Sequence, residues 1–169
     1  TQNATMDEQE REEFLAHFSE SPTTTTVGLC VLGGIFSEGI DLKAERLIGA
    51  VIVGTGLPMV CNENELYRQF FDGEISSFST GSDNDEATIR NTRHGFSYAY
   101  QYPGMNKVLQ AAGRVIRTEQ DYGCILLLDD RFLQGSYQSL FPREWFPHYT
   151  VTPETMTEHL LKFWEAHST

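Results

Sequence analysis

Arg114 and Arg117 close the run Gln110-Ala-Ala-Gly113-Arg114-Val-Ile-Arg117. A guanidinium keeps its charge and presents a planar fork that binds phosphate oxygens bidentately, so this pair suits an anion site. On a helix turning about 100° per residue, Gln110, Gly113, Arg114 and Arg117 fall on one side, and Gly113 lets another group approach the backbone. The same spacing also suits a surface network that neutralises acidic neighbours. A second cluster is Gly33-Gly34-Ile35-Phe36-Ser37-Glu38-Gly39-Ile40-Asp41-Leu42. Its glycines allow tight turning, while Ser37, Glu38 and Asp41 supply groups able to orient a ribose, a metal-bound water or an arginine. Alone, it reads equally well as a turn whose acids cap a short helix.

Charge is distributed unevenly around these clusters. The 169 residues carry 12 Lys+Arg against 24 Asp+Glu, a net charge of -12. That balance argues against a surface that clamps nucleic-acid phosphates everywhere, because such binding rests on Lys and Arg replacing counterions. Residues 87–118 nevertheless hold Arg90, Arg93, Lys107, Arg114 and Arg117 and no acidic residue. In the same segment Phe96, Tyr98, Tyr100 and Tyr102 alternate with small or polar residues, a pattern for stacking on the bases of a single strand, for a half-buried strand or for an interdomain packing face.

These residues need elements to hold them. Three short apolar runs, Val27–Leu32, Ala50–Val53 and Cys124–Leu128, read as strands, and their lack of alternation suits a parallel sheet buried on both faces. Helices are expected over 7–19, 64–71, 105–117 and 152–167, the last with Thr152 as N-cap and Pro153 at its first position. Residues 72–95 are polar and Gly/Ser-rich and read as a long loop or insertion. Strands alternating with helices give an α/β layer architecture in one domain over 1–169. The 3 cysteines, Cys30, Cys61 and Cys124, form no metal-ligand pattern and sit in apolar runs, suggesting buried, reduced thiols and a cytoplasmic setting. The longest nearly uncharged run, Leu47–Asn62, is interrupted by glycines and Pro58 and is too short for a membrane span. With no initiator Met and no visible signal peptide, the sequence reads as part of a longer chain.

Taken together, GGIFSEGIDL and, some seventy residues later, QAAGRVIRTEQDYGCILLLDDRF resemble motifs V and VI of XPD/DinG-type superfamily 2 DNA helicases. AVIVGTGLP, the run Tyr100-Gln-Tyr-Pro103 and the tail Tyr137…LFPREW extend the likeness over residues 7–165. The resemblance implies the second RecA-like domain of the motor, a three-layer α/β fold with a mainly parallel sheet flanked by helices. It implies an ATP site shared with a first RecA-like domain that carries the P-loop and the acidic Mg²⁺-binding box. Gln110, Gly113, Arg114 and Arg117 match motif VI, with both arginines expected at the γ-phosphate. Glu38, Gly39 and Asp41 match motif V, between nucleotide and DNA track. Asp121, Gly123, Asp129 and Arg131 match positions expected to be structural. Single-stranded DNA is the implied partner, with Arg90, Arg93 and Lys107 as candidate contacts, and DNA repair is the implied setting.

The chain has no G-x-x-x-x-G-K-[ST] run, no DEAH-type box and no four-cysteine cluster. The fragment alone is therefore expected to be without ATPase activity, iron–sulfur cluster or metal of its own. CILLLDD imitates an Mg²⁺-binding strand, and GTGLP imitates a phosphate loop without its lysine; a structural strand and a turn are expected instead. Two other functions fit the residues: a non-catalytic interaction or regulatory domain retaining the helicase fold, and an Mg²⁺-dependent phosphohydrolase built on Asp41, Asp129 and Asp130. Nothing in the sequence fixes the oligomeric state.

Overall fold

The computed structural model describes residues 1–3, 5–19, 22–38, 42, 46–78 and 94–167, with only the backbone at 37, 38 and 74–78. Helix α1 (Glu8–Ala16) starts where its sequence dictates. The Asp7 carboxylate accepts the Glu10 N–H at 2.9 Å and the Glu10 carboxylate accepts the Asp7 N–H at 3.0 Å, a reciprocal capping box. One turn of helix, α2 (Ile35–Glu38), follows the Gly33-Gly34 turn. Strand β1 (Gly49–Val53) leads into α3 (Asn62–Phe78). Next comes a continuous helical stretch: α4 (His94–Phe96), a π-helical turn (Ser97–Gln101) and α5 (Tyr102–Ala112). Strand β2 (Cys124–Leu128), a 3₁₀ turn (Asp130–Leu133), α6 (Gly135–Gln138), a second 3₁₀ turn (Arg143–Trp145) and α7 (Pro153–His167) complete the order.

The fold is α/β with a parallel sheet, as the sequence implies. Among the described residues the sheet has two strands, β1 beside β2, in register from Gly49 opposite Cys124 to Val53 opposite Leu128. Bonds from Cys124 N–H to the Ile48 carbonyl and from Gly54 N–H to the Leu128 carbonyl extend the pairing at each end. Met105, Val108 and Ala112 of α5 pack with Ile52, Phe132 and Tyr137 to form the core. Their shared burial follows from the three-and-four spacing along α5.

Four expectations are corrected. Val27–Leu32 forms no strand among the described residues, and Val27, Leu29 and Val31 are largely exposed. Its backbone is tied instead to Gln2, whose N–H donates to the Leu29 carbonyl and whose side-chain oxygen accepts the Val31 N–H. The paired strands are not buried on both faces: in β1 Ile52 is buried while Val51 and Val53 point outward. The first seven residues of the expected 72–95 loop continue α3 to Phe78, and His94 already begins α4; residues 79–93 lie outside the described ones. The aromatic alternation at 96–102 is helical, so Phe96 stacks on Tyr100 and Tyr98 meets Tyr102, four residues on.

The thiols also differ from expectation, since Cys30 is exposed and Cys61 and Cys124 only half-buried; all three are free. Among the described residues, no helix is long and apolar enough to cross a membrane.

Candidate active site

Helix α5 carries Lys107 and Gln110, then stops at Ala112. Gly113 is its C-cap, and the chain continues through 3₁₀-like bonds from Arg114 N–H to the Ala111 carbonyl and from Val115 N–H to the Ala112 carbonyl. Arg114 and Arg117 therefore belong to a turn rather than to one helical face. This corrects the expected helix over 105–117 and the circumferential placement drawn from it. The turn is anchored by Val115, which is buried between the two half-buried arginines. Gln110 and Gly113 are exposed beside them.

The far end of the turn is held by Asp121. Its carboxylate Oδ2 accepts the backbone N–H of Arg117 at 2.9 Å and of Thr118 at 2.8 Å. A carboxylate taking two amide protons makes charge-assisted bonds stronger than neutral ones. Gly123 then lets β2 start against the turn: a Cβ there would stand 2.4 Å from Val115 Cγ1 and 2.6 Å from the Ile48 carbonyl oxygen. Asp121 and Gly123 thus have the structural parts expected of them.

Asp129 does too. Its Oδ1 accepts from Arg131 Nε and its Oδ2 from Arg131 Nη2, both at 2.8 Å, and Oδ1 also takes the Arg131 backbone N–H. These bonds hold the Asp129 carboxyl down to about 2, against the opposing effect of its desolvation. Both oxygens are engaged by one side chain, so the apparent Mg²⁺-binding strand ends in an internal ion pair. GTGLP forms a turn, with Gly54 at φ +85° and Gly56 at φ +67°. A Cβ at Gly56 would come 2.7 Å from the Gly104 carbonyl oxygen, so the turn serves close packing onto the start of α5.

The Gly33-Gly34 turn and α5 meet at Lys107. Gly33 has φ +76°, and a Cβ on it would lie 2.9 Å from Lys107 Cδ, so the lysine stem lies across the Gly33-Gly34 turn. Of the other expected site residues, Glu38 ends α2, and Gly39, Asp41, Arg90 and Arg93 lie outside the described residues.

Sequence reasoning missed a polar network behind α5. Buried Tyr100 in the π-helical turn donates its Oη–H to Glu65 at 2.6 Å, and Arg68 bonds both Glu65 and Asp72. Asp72 also accepts the Gly95 N–H at 2.8 Å. The Glu65 carboxylate, chiefly through that hydrogen bond, pushes the Tyr100 phenol up to about 12. These partners are up to 35 residues apart. No local pattern marks such pairs.

A parallel α/β domain that presents an arginine turn after its core helix suits a helicase C-terminal domain. A family model for the helicase C-terminal domain matches residues 1–148, and the chain belongs to that family, in the DinG/XPD group of superfamily 2 helicases. It is 35% identical over 128 residues to a rice protein named "Regulator of telomere elongation helicase 1 homolog", covering 76% of this chain and 12% of that one. The Arabidopsis thaliana protein of the same name is also 35% identical, over 130 residues, covering 75% and 12%. The Aspergillus clavatus "ATP-dependent DNA helicase chl1" is 29% identical over 145 residues, covering 82% of this chain and 19% of the relative. The matched part of the chain covers only 12% to 19% of the length of these relatives.

Proposed function

We propose that this chain is the second motor domain of an ATP-dependent DNA helicase and completes an ATP site whose P-loop lies on a first RecA-like domain. The observation that carries this reading is the arginine turn, in which Val115, Asp121 and Gly123 fix the backbone that presents Arg114 and Arg117. Two guanidiniums with the neighbouring Gln110 amide form a donor set suited to polyphosphate oxygens. They are not ligands for Mg²⁺, and both oxygens of the Asp129 carboxylate are taken by Arg131, which supports assigning the cation to the other domain. Bound ATP supplies the anhydride bond; Arg114 and Arg117 stabilise the charge that develops on the transferred phosphoryl group, and Gln110 orients it. Lys107, lying on the motif V turn, links nucleotide-dependent closure to a single strand of DNA, with Arg90 and Arg93 as further DNA contacts.

The test is Arg117→Ala in the full protein. DNA-stimulated ATP turnover should fall by about a hundredfold or more while DNA binding is largely kept, because an arginine finger acts mainly in the transition state. Near-normal turnover would sink the role. A second reading, a non-catalytic interaction domain, draws on the exposed Val27, Leu29 and Val31. It requires that Arg117→Ala leave ATP turnover untouched.

A further inference from the structure

Helix α7 begins at Pro153, beyond residue 148 where the family match ends. It has its own start signal: the Thr152 N–H donates to Thr155 Oγ1 at 3.0 Å, with proline at the first helical position. Its half-buried side chains, Met156, Leu160, Phe163 and Trp164, lie at three-and-four spacing and form its inner face. The last turn of this helix meets one residue of the arginine turn. Trp164 packs edge-on to Tyr122, with ring centroids 5.9 Å apart and planes at 61°. His167 stacks on the same tyrosine at 5.3 Å and 26°. His167 is itself fixed, stacked on Phe163 at 4.4 Å, with its Nδ1–H donating to the Phe163 carbonyl at 2.7 Å.

Tyr122 sits between Asp121, which holds the Arg117 and Thr118 amides, and Gly123, which is wedged against Ile48 and Val115. The backbone on its Gly123 side cannot yield without moving β2 or the core. Any freedom at Tyr122 therefore passes to the Asp121 side, and from there to the arginine. We propose that α7 is a brace for the arginine turn, with Tyr122 and Trp164 as positioning residues that act on catalysis through Asp121 and Arg117. This inference rests on the helicase reading above and adds to it a control element outside the matched family region. A finger displaced by a fraction of an ångström loses transition-state contact while ground-state ATP binding, spread over both domains, changes little. The brace thus predicts a kcat effect without a matching KM effect.

The experiment compares Trp164→Ala, Trp164→Phe and the exposed-face control Leu161→Ala in the full protein, each also in an Arg117→Lys background, by steady-state ATPase with saturating single-stranded DNA. Trp164→Ala should lower kcat about tenfold with KM for ATP within about twofold. Trp164→Phe should recover most of the loss, and Leu161→Ala should match the parent. In the Arg117→Lys background, Trp164→Ala should add little, because residues acting through one group are not additive. Should Trp164→Ala not fold, Tyr122→Leu takes its place in the same cycle. Equal falls in both backgrounds, or parent-like kinetics for Trp164→Ala beside an inactive Arg117→Ala, would overturn the brace and leave the helicase reading standing. Near-normal turnover in Arg117→Ala would refute both.

Discussion

The arginine turn and the apolar run before α2 are held in opposite ways. Between Gly113 and Gly123 the chain is fixed by the buried Val115, by the two amide bonds into Asp121 and by the close approach of Gly123 to Ile48. From Val27 to Val31 the side chains of Val27, Leu29 and Val31 are 77%, 62% and 61% exposed, and Gln2 supplies the backbone partners. The difference teaches that an apolar, β-branched run is a strand only where another strand lies in register beside it. β1 and β2 supply that for each other, whereas the Val27 run has no such neighbour among the described residues.

Substitutions in the two regions test this contrast. The largest effect is the loss of turnover in Arg117→Ala, followed by the kinetic effect of Trp164→Ala, both set out above. Next comes Gly123→Ala, whose Cβ meets a backbone carbonyl as well as a side chain. It should cost about 2 kcal/mol, as overpacking of a tight contact does, read as a lowered urea midpoint with an unchanged slope. A midpoint equal to the parent's would mean that β2 does not press on the turn.

Asp129→Asn should have a smaller, pH-dependent effect. The Asp129 carboxyl is held at about 2, below its unfolded value of about 3.9, so its contribution is present above that range and disappears as pH falls toward 2. Because Arg131 is 40% exposed, the variant should lose only about 1 kcal/mol at pH 7. Parent and variant unfolding curves should converge near pH 2; a gap that persists there would remove the ion pair as its cause. The smallest effect belongs to Leu29→Ser, expected within about 0.5 kcal/mol of the parent because the side chain is already exposed. A loss of 2 kcal/mol or more would show that this run is packed after all.

Much of this arrangement is legible along the chain, and what is missing follows a rule of distance. Asp7 with Glu10, and Thr152 with Pro153 and Thr155, start helices within four residues, and both starts stand where the pattern puts them. Gly113, Arg114 and Arg117 were identifiable by type, but their placement on a single helical face was not correct, because the cap at Gly113 ends the helix before either arginine. The aromatic alternation from Phe96 to Tyr102 suits base stacking, a half-buried strand or an interdomain packing face; the structure makes it helical through a π-helical turn, with Glu65 of α3 accepting the Tyr100 hydroxyl and Arg68 holding Glu65.

By itself, the sequence determined the α/β class, the apolar runs that became β1 and β2, the starts of α1 and α7 and the residue types of the arginine turn. Each of these depends on periodicity, capping or side-chain chemistry, which act over a few residues. Only the tertiary structure decided which apolar runs pair, that Tyr100 meets Glu65 and that α7 closes on Tyr122. Those outcomes depend on which surfaces meet, and the free energy of such contacts is set by neighbours brought together from far along the chain.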